Sequence, residues 1–378
     1  MRIVVSAGEA SGRAMLDRFR LEMAKLDPAC EVVSLQDTAK LESVFGFAEG
    51  LRAGPRLGGA LSRAEEAAVK LEPDAAVLVS FSGLHLPLGR RLRLRGVPVL
   101  YLGPPQVWAW GGWRKRRLRK AADKVVCLFR FEMELLRQAG VNAVYFGYPL
   151  LDGVVSRLSR EQTLEQLGLG PNERYVVFLP GSRPAEIGYH QPLFRTVFEQ
   201  LRKRVPNVRG VTVAMEASPK SEVQSPNSAV SGWRPAGESE LVTVSRDRYD
   251  VMRLADCACA VSGTVTAELA LLGVPMVVCY HLPWLSRLLT RVLVRTPHFA
   301  LPNVLAGARL VPERLEPEPE ALVQMLEPLM RDSVERRQQL EGLARVAAYL
   351  GPPGAMARIC VQVRDLAAAG RQRVVGND

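Results

Sequence analysis

The sequence predicts an α/β chain made of two doubly wound halves that face each other across a cleft. Three observations carry this expectation. Short runs of Val, Ile and Leu alternate with segments of helical spacing, the pattern of a parallel sheet covered on both faces. A polar stretch, 151–173, breaks the alternation, which then restarts. The length, 378 residues, suits two domains.

In chain order, "RIVVS" (2–6), "EVVSL" (31–35), "AAVLVS" (75–80), "VPVLYLG" (97–103), "KVVCLF" (124–129) and "NAVYF" (142–146) read as strands of the first half. Segments 13–26 and 60–71 carry apolar residues at helical intervals. The break at 151–173 holds Gly168, Gly170 and Pro171 and reads as a helix plus linker. "RYVVFL" (174–179), "GVTVAM" (210–215), "LVTV" (241–244), "DCACAV" (256–261) and "VPMVVCY" (274–280) are the strands of the second half. Residues 216–240, rich in Ser, Pro and Gly, read as a surface excursion. Helical spacing runs from about 320 to 368. The domains expected are 1–155 and 172–345, with 346–378 a C-terminal helix packing back toward the first.

Composition narrows the partners. The chain is 48% hydrophobic and 24% charged, with a formal net charge of +11. An anionic partner follows: nucleic acid, an anionic lipid surface or a phosphorylated substrate. The basic residues lack an RNP, KH or helix-turn-helix context, so nucleic acid is not expected. Cys30, Cys127, Cys257, Cys259, Cys279 and Cys360 form no CxxC pair and fit reduced core thiols. His85, His190, His281 and His298 show no metal spacing, and no metal or cofactor is expected. "MRIVVSAGEASG" reads as a first strand and loop, not a signal peptide. The most apolar long window, 254–280, is interrupted by Asp256, Glu268 and Pro275 and predicts no transmembrane helix.

Several loops invite anions or ligands. "VVFLPGSRPAEIG" (176–188) runs a strand into Gly181, Ser182 and Arg183, offering free amides and a planar guanidinium; a tight turn with a solvated arginine reads equally. In "DCACAVSGTVTAELALLGVPMVV" (256–278), Ser262, Gly263 and Thr264 join a strand to a helix, where small residues let a diphosphate approach the helix N-terminus. Glu268 lies one turn on, placed to accept from ribose hydroxyls; the plainer reading is an N-cap at Ser262 or Thr264. "SAGEASG" (6–12), with Gly8, Glu9, Ser11 and Gly12, is a glycine-rich loop but not GxGxxG. "FSGLHLP" (81–87) sets His85 in a loop at the cleft edge, as a general base or as a structural histidine. "PQVWAWGGWRKRRLRK" (105–120) concentrates Trp108, Trp110 and Trp113 ahead of Arg114, Lys115, Arg116 and Arg117. "PWLSRLLTRVLVRT" (283–296) spaces Arg287, Arg291 and Arg295 by four along one helical face, opposite leucines. "FALPNVLAG" (299–307) places Asn303 in a loop bounded by Pro and Gly.

In this order the segments resemble the lipid-A-disaccharide synthase family. The matching pieces are "GEASG" (8–12), "PPQVWAWGGWRKRRLRKAADKVVC" (104–127), "FGYPLLD" (146–152), "LPGSRPAEI" (179–187), "SGTVTAELALLGVPMVVCY" (262–280) and "LPNVLAG" (301–307). The resemblance implies two Rossmann-like domains of the GT-B glycosyltransferase fold. It implies an inverting, metal-independent transfer: UDP-2,3-diacylglucosamine donates its sugar to 2,3-diacylglucosamine 1-phosphate, giving a disaccharide 1-phosphate and UDP. Gly181, Ser182, Arg183, Ser262, Gly263, Thr264 and Glu268 would then hold the UDP, and Asn303 would line the donor site. Gly8, Glu9, Ser11 and Gly12 would form the acceptor loop. Both substrates carry acyl chains and phosphate. Trp108, Trp110, Trp113 and the basic residues after them, helped by Arg287, Arg291 and Arg295, would dock the protein on the inner face of the bacterial cytoplasmic membrane. The chain departs from the family at Arg13, at Ser82 and His85, where acidic residues are usual, and in a shorter 36–72. His85 would have to replace the missing base. Otherwise the chain is a diverged GT-B relative with another sugar or acceptor, or a non-catalytic UDP-sugar or lipid binder.

Overall fold

The computed structural model describes residues 1–8, 10–39, 54–109, 111–213, 242–244, 248–281 and 297–375. The excursion expected at 216–240, and Glu9, Trp110, Arg287, Arg291 and Arg295, lie outside the described residues. Two compact units emerge, one formed by Met1–Gly153 and Leu350–Asp378, the other centred on 154–292 and 296–349.

In the first unit the strands are β1 (Arg2–Ala7), β2 (Glu31–Ser34), β3 (Ala75–Val79), β4 (Val99–Leu102), β5 (Lys124–Val126) and β6 (Ala143–Val144). Between them run α1 (Ala10–Leu26), α2 (Leu35–Ala39), α3 (Gly54–Lys70), α4 (Ser82–Leu94), α5 (Arg114–Ala121) and α6 (Arg130–Arg137). The sheet order is β2-β1-β3-β4-β5-β6 and every pairing is parallel. Central strands such as β3 are buried along their whole length, which is why they read as unbroken apolar runs. The edge strand β6 keeps two residues of the five expected.

The second unit repeats the plan. It contains α7 (Arg160–Gln166), β7 (Arg174–Leu179), α8 (Pro184–Arg204), β8 (Val208–Val213), β9 (Val242–Val244), α9 (Arg248–Leu254), β10 (Cys257–Val261), α10 (Val265–Leu271), β11 (Met276–Tyr280), α11 (Leu301–Ala306), β12 (Glu313–Leu315), α12 (Pro319–Leu329) and α13 (Val334–Tyr349). Its parallel sheet has the order β12-β11-β10-β7-β8-β9. The closing helical stretch is three helices, the last being α14 (Ala355–Val375) after Pro352 and Pro353.

α14 belongs to the first unit. Met356, Ile359, Cys360 and Val363 bury themselves with Met15, Phe19 and Met23 of α1. Each such side chain contributes roughly 1.5–3 kcal/mol by leaving water. Gly147 lets the chain cross there: its φ is +102, and a Cβ would lie 2.9 Å from the Pro352 carbonyl oxygen. Tyr148 N donates to Leu350 O at 2.9 Å, and Tyr145 Oη to the same oxygen at 2.7 Å.

Both sheets have a point where the chain reverses its direction of travel. In the second it falls between β7 and β10. The carboxyl ends of two such strands leave a crevice, the usual ligand position in an open parallel sheet. The loops 180–183 and 262–264 lie at those two ends.

Candidate active site

After β7 the chain makes a sharp loop and enters α8. Gly181 has φ +106, and a Cβ there would come within 2.6 Å of Glu186 Oε2. The amides of Ser182 and Arg183 donate to that same oxygen at 3.1 and 3.3 Å. Arg183 Nη1 reaches the other oxygen, Oε1, at 3.1 Å. Two amides and a guanidinium thus converge on one carboxylate, at the N-terminus of a 21-residue helix with proline in its first position. The loop is a cradle for an anion, and Glu186 fills it. Sequence reading missed Glu186, although its place three residues after the capping position is a readable signal.

The second loop follows β10. Ser262 N donates to Cys279 O at 3.0 Å, and Ser262 Oγ to Phe299 O at 2.9 Å. Thr264 is the residue before α10 and makes no side-chain cap, so neither hydroxyl plays the capping role that was the plainer reading. Glu268 is buried, and Arg248 Nη2 lies 3.1 Å from its Oε1. Its Oε2 is buried with no hydrogen-bond partner. Burial raises the Glu268 carboxyl above the usual range, against the opposing pull of Arg248. The Arg248 guanidinium also lies over the Tyr249 ring, 4.5 Å from its centroid. Arg248 and Tyr249 carried no motif; they meet Glu268 only because α9 and α10 flank β10.

Two sequence expectations are corrected. His85 is not in a loop. It sits in the first turn of α4, fully buried, with Nδ1 donating to Ser80 O at 2.9 Å and Nε2 2.8 Å from Ser6 Oγ. Burial lowers its pKa to about 4, so the ring is neutral at pH 7. Both nitrogens are committed to the fold, which leaves none for a substrate hydroxyl. Asn303 is not in a loop either. It lies in α11, wholly buried, accepting from Leu310 N at 2.8 Å and Val311 N at 2.7 Å and donating to Val311 O at 2.9 Å. Its amide staples the backbone at 310–311.

Near β1, Gly8 approaches Phe81 so closely that a Cβ would lie 2.5 Å from the Phe81 Cβ. Ser80 and Phe81 hold φ of 54 and 40, left-handed values that cost on the order of 1–3 kcal/mol each. Tyr101 Oη and His85 both bond the Ser80 carbonyl and hold this corner. Ser11 and Gly12 fall in the first turn of α1.

The tryptophan and arginine stretch divides. Trp108 Nε1 donates to Glu132 Oε1 at 2.9 Å, and the ring meets Phe131 edge-on. Trp113 is 57% exposed, with Arg117 over its ring at 4.5 Å. Arg116 and Arg117 are exposed and Lys115 is half-buried. Arg114 corrects its reading as a surface residue: it is buried, near Gly111 O and Ser82 Oγ at 3.4 Å each, and burial lowers its pKa.

Among the described residues no group of three or more His, Cys, Asp or Glu could hold a metal ion. No helix among them is long and apolar enough to cross a membrane.

Two parallel, doubly wound sheets, one with an anion cradle at its reversal point, define a class: the two-domain α/β fold of GT-B glycosyltransferases and sugar-nucleotide epimerases. Solved structures share the fold. The UDP-GlcNAc 2-epimerase from Neisseria meningitidis bound to UDP-GlcNAc aligns with TM-score 0.63 and 13% identity, covering 96% of this chain and 99% of that one. Spinosyn forosaminyltransferase SpnP aligns with TM-score 0.60 and 13% identity over 97% and 99%. The model of the lipid-A-disaccharide synthetase family matches residues 3–342. The lipid-A-disaccharide synthase of Geobacter sulfurreducens is 32% identical over 374 residues, 95% of each chain. The chain belongs to the lipid-A-disaccharide synthetase family; it is a hexosyltransferase of lipid A biosynthesis.

Proposed function

We propose that the chain condenses UDP-2,3-diacylglucosamine with 2,3-diacylglucosamine 1-phosphate, and that Gly181–Arg183, Ser262–Thr264 and Glu268 hold the UDP moiety. The observation that carries this reading is the cradle at 181–183, which binds a carboxylate with two amides and a guanidinium. A phosphate oxygen has the same charge and needs the same donors. When the donor binds, its diphosphate takes the place of Glu186. The unpartnered Oε2 of Glu268 suits a ribose hydroxyl, since a carboxylate only accepts.

The acceptor hydroxyl attacks the anomeric carbon from the side opposite the diphosphate and releases its proton to water, so the configuration inverts. The bond from that carbon to the diphosphate oxygen breaks and both its electrons leave with UDP. Preset amides and Arg183 stabilise the charge as it develops, without reorganising at that moment. Trp113, Arg116 and Arg117 present an aromatic and cationic face to anionic lipid, and the protein works as a peripheral enzyme on the inner face of the cytoplasmic membrane.

Incubation with the UDP-sugar and the lipid acceptor, read by mass spectrometry, tests the reaction; UDP and a β-1,6 disaccharide 1-phosphate are the expected products. Calorimetric titration with UDP tests the pocket. An absence of UDP binding sinks the assignment.

A further inference from the structure

A second group of titratable side chains borders the cradle and has no part in the mechanism above. His281 follows the last residue of β11, and Glu316 follows the last residue of β12. Glu316 N donates to Tyr280 O at 3.0 Å, which sets the two loops side by side. His281 Nδ1 lies 2.8 Å from Glu316 Oε2. A carboxylate can only accept, so Nδ1 carries the hydrogen and, among the described residues, Nε2 is the nitrogen left for a ligand. The Tyr189 ring stacks on the imidazole at 3.6 Å between centroids and 10° between planes. Carboxylate and ring fix the imidazole in position and orientation, while its side chain stays 29% exposed.

Glu316 holds φ 52, a left-handed value that a glutamate adopts at a cost on the order of 1–3 kcal/mol. Such strain persists where the surroundings require the side chain there.

The cluster touches the cradle. Tyr189 stands one turn along α8 from Glu186, and His190 Nδ1 donates to Glu186 O at 2.8 Å. Tyr280 feels the charges of both Glu186 and Arg183. His190 feels those of Glu186, His281 and Glu316. The groups facing the His281 imidazole are therefore Glu316 from the loop after β12, Tyr189 and His190 from α8, and Tyr280 from its own strand.

We propose that His281 is a catalytic residue whose imidazolium donates a hydrogen bond from Nε2 to the departing diphosphate. The inference deepens the nucleotide-site reading and rests on it. His281 belongs to the same unit as the anion cradle, so it lies on the leaving-group side of the reacting carbon. A base must act from the opposite side in an inverting displacement, which rules that role out for His281. No proton is transferred to UDP: the bond from anomeric carbon to oxygen breaks, its electron pair goes to the diphosphate, and the imidazolium offsets the charge that appears. Its contribution is larger in the transition state and in free UDP than in the bound donor, where that charge has not developed.

The test compares His281→Leu and His281→Arg with the wild-type enzyme. Removing one preset donor from a developing anion costs about 10²–10³ in rate. His281→Leu, which has no donor, is expected to lower kcat by about 10²-fold and to weaken inhibition by UDP, with the KM for the UDP-sugar little changed. An unchanged KM also shows that the variant is folded. His281→Arg keeps the cation and recovers part of the loss. A kcat within about twofold of wild type in His281→Leu, with UDP still binding the wild-type protein, overturns this role alone. If UDP does not bind the wild-type protein, the nucleotide pocket itself is wrong and the role of His281 falls with it.

Discussion

Glu186 occupies the place where the proposed substrate phosphate would sit, which would make it a competitor as well as a cap. Its carboxylate takes the two amides and the guanidinium that a diphosphate there would need. Glu186→Gln removes the charge while keeping an acceptor oxygen. We expect it to tighten UDP binding by about 3- to 10-fold and to cost about 1 kcal/mol of stability through the weakened cap. Calorimetry and thermal melting read the two effects; weaker UDP binding would show that Glu186 assists the ligand. The loop was legible in sequence because small residues after an apolar run mark a turn; its occupant, Glu186, belongs to the helix that follows. Arg248 was beyond reach, since its contact with Glu268 spans 20 residues and depends on two helices flanking one strand. His85 and Asn303 misled for a common reason. Gly83, Pro87, Pro302 and Gly307 around them look like loop punctuation, yet α4 and α11 form there and bury both side chains.

At the scale of elements, one buried carboxylate ties the tryptophan loop to α6. Glu132 accepts from Leu128 N, Phe129 N and Trp108 Nε1, and burial pushes its pKa from 4.5 up to about 7. A carboxyl with a raised folded-state value favours the native state most when protonated. Its contribution is therefore present below about pH 4.5 and is lost as pH rises toward 7. Glu132→Gln does not titrate. Its stability relative to wild type is expected to improve between pH 4.5 and 7, by about 1–3 kcal/mol. Denaturant unfolding at the two ends of that range, followed by tryptophan fluorescence, measures it; a difference independent of pH refutes the assignment. The C-terminal helix gives a second check. Ile359 is fully buried against α1. Ile359→Ala should cost about 2–5 kcal/mol, visible as a lower melting temperature, whereas a surface helix would lose little. Helical spacing from 320 to 368 marked this region in sequence, but its breaks and the unit it joins are set by Gly147 and the loop 350–354.

For the whole molecule, charge is the property that reaches beyond the fold. A net charge of +11 with Trp113, Arg116 and Arg117 exposed predicts attachment to vesicles containing anionic phospholipid. Each basic residue near the surface contributes about 1 kcal/mol, screened over a Debye length of about 10 Å at 0.1 M salt. Flotation should therefore bring the protein up with anionic vesicles at low salt and leave it behind at high salt. Charge reversal at Arg116 and Arg117 should weaken the attachment. Flotation indifferent to salt, lipid charge and reversal would remove this face from membrane docking. Arg114→Glu is no substitute for these variants, because Arg114 is buried and its loss disturbs the fold.

The sequence by itself determined the α/β class, the restart of the strand pattern after 151–173 and the small-residue loops after β7 and β10. These are local properties: apolar period, breakers and small residues act within a few positions along the chain. Only the tertiary structure decided which polar groups remain for a ligand. It spent His85 and Asn303 inside the fold, buried Arg114, placed Glu186 in the cradle and brought His281, Glu316 and Tyr189 together. Burial and hydrogen-bond partnership arise between residues distant in sequence, and they settle whether a side chain holds the protein or meets its substrate.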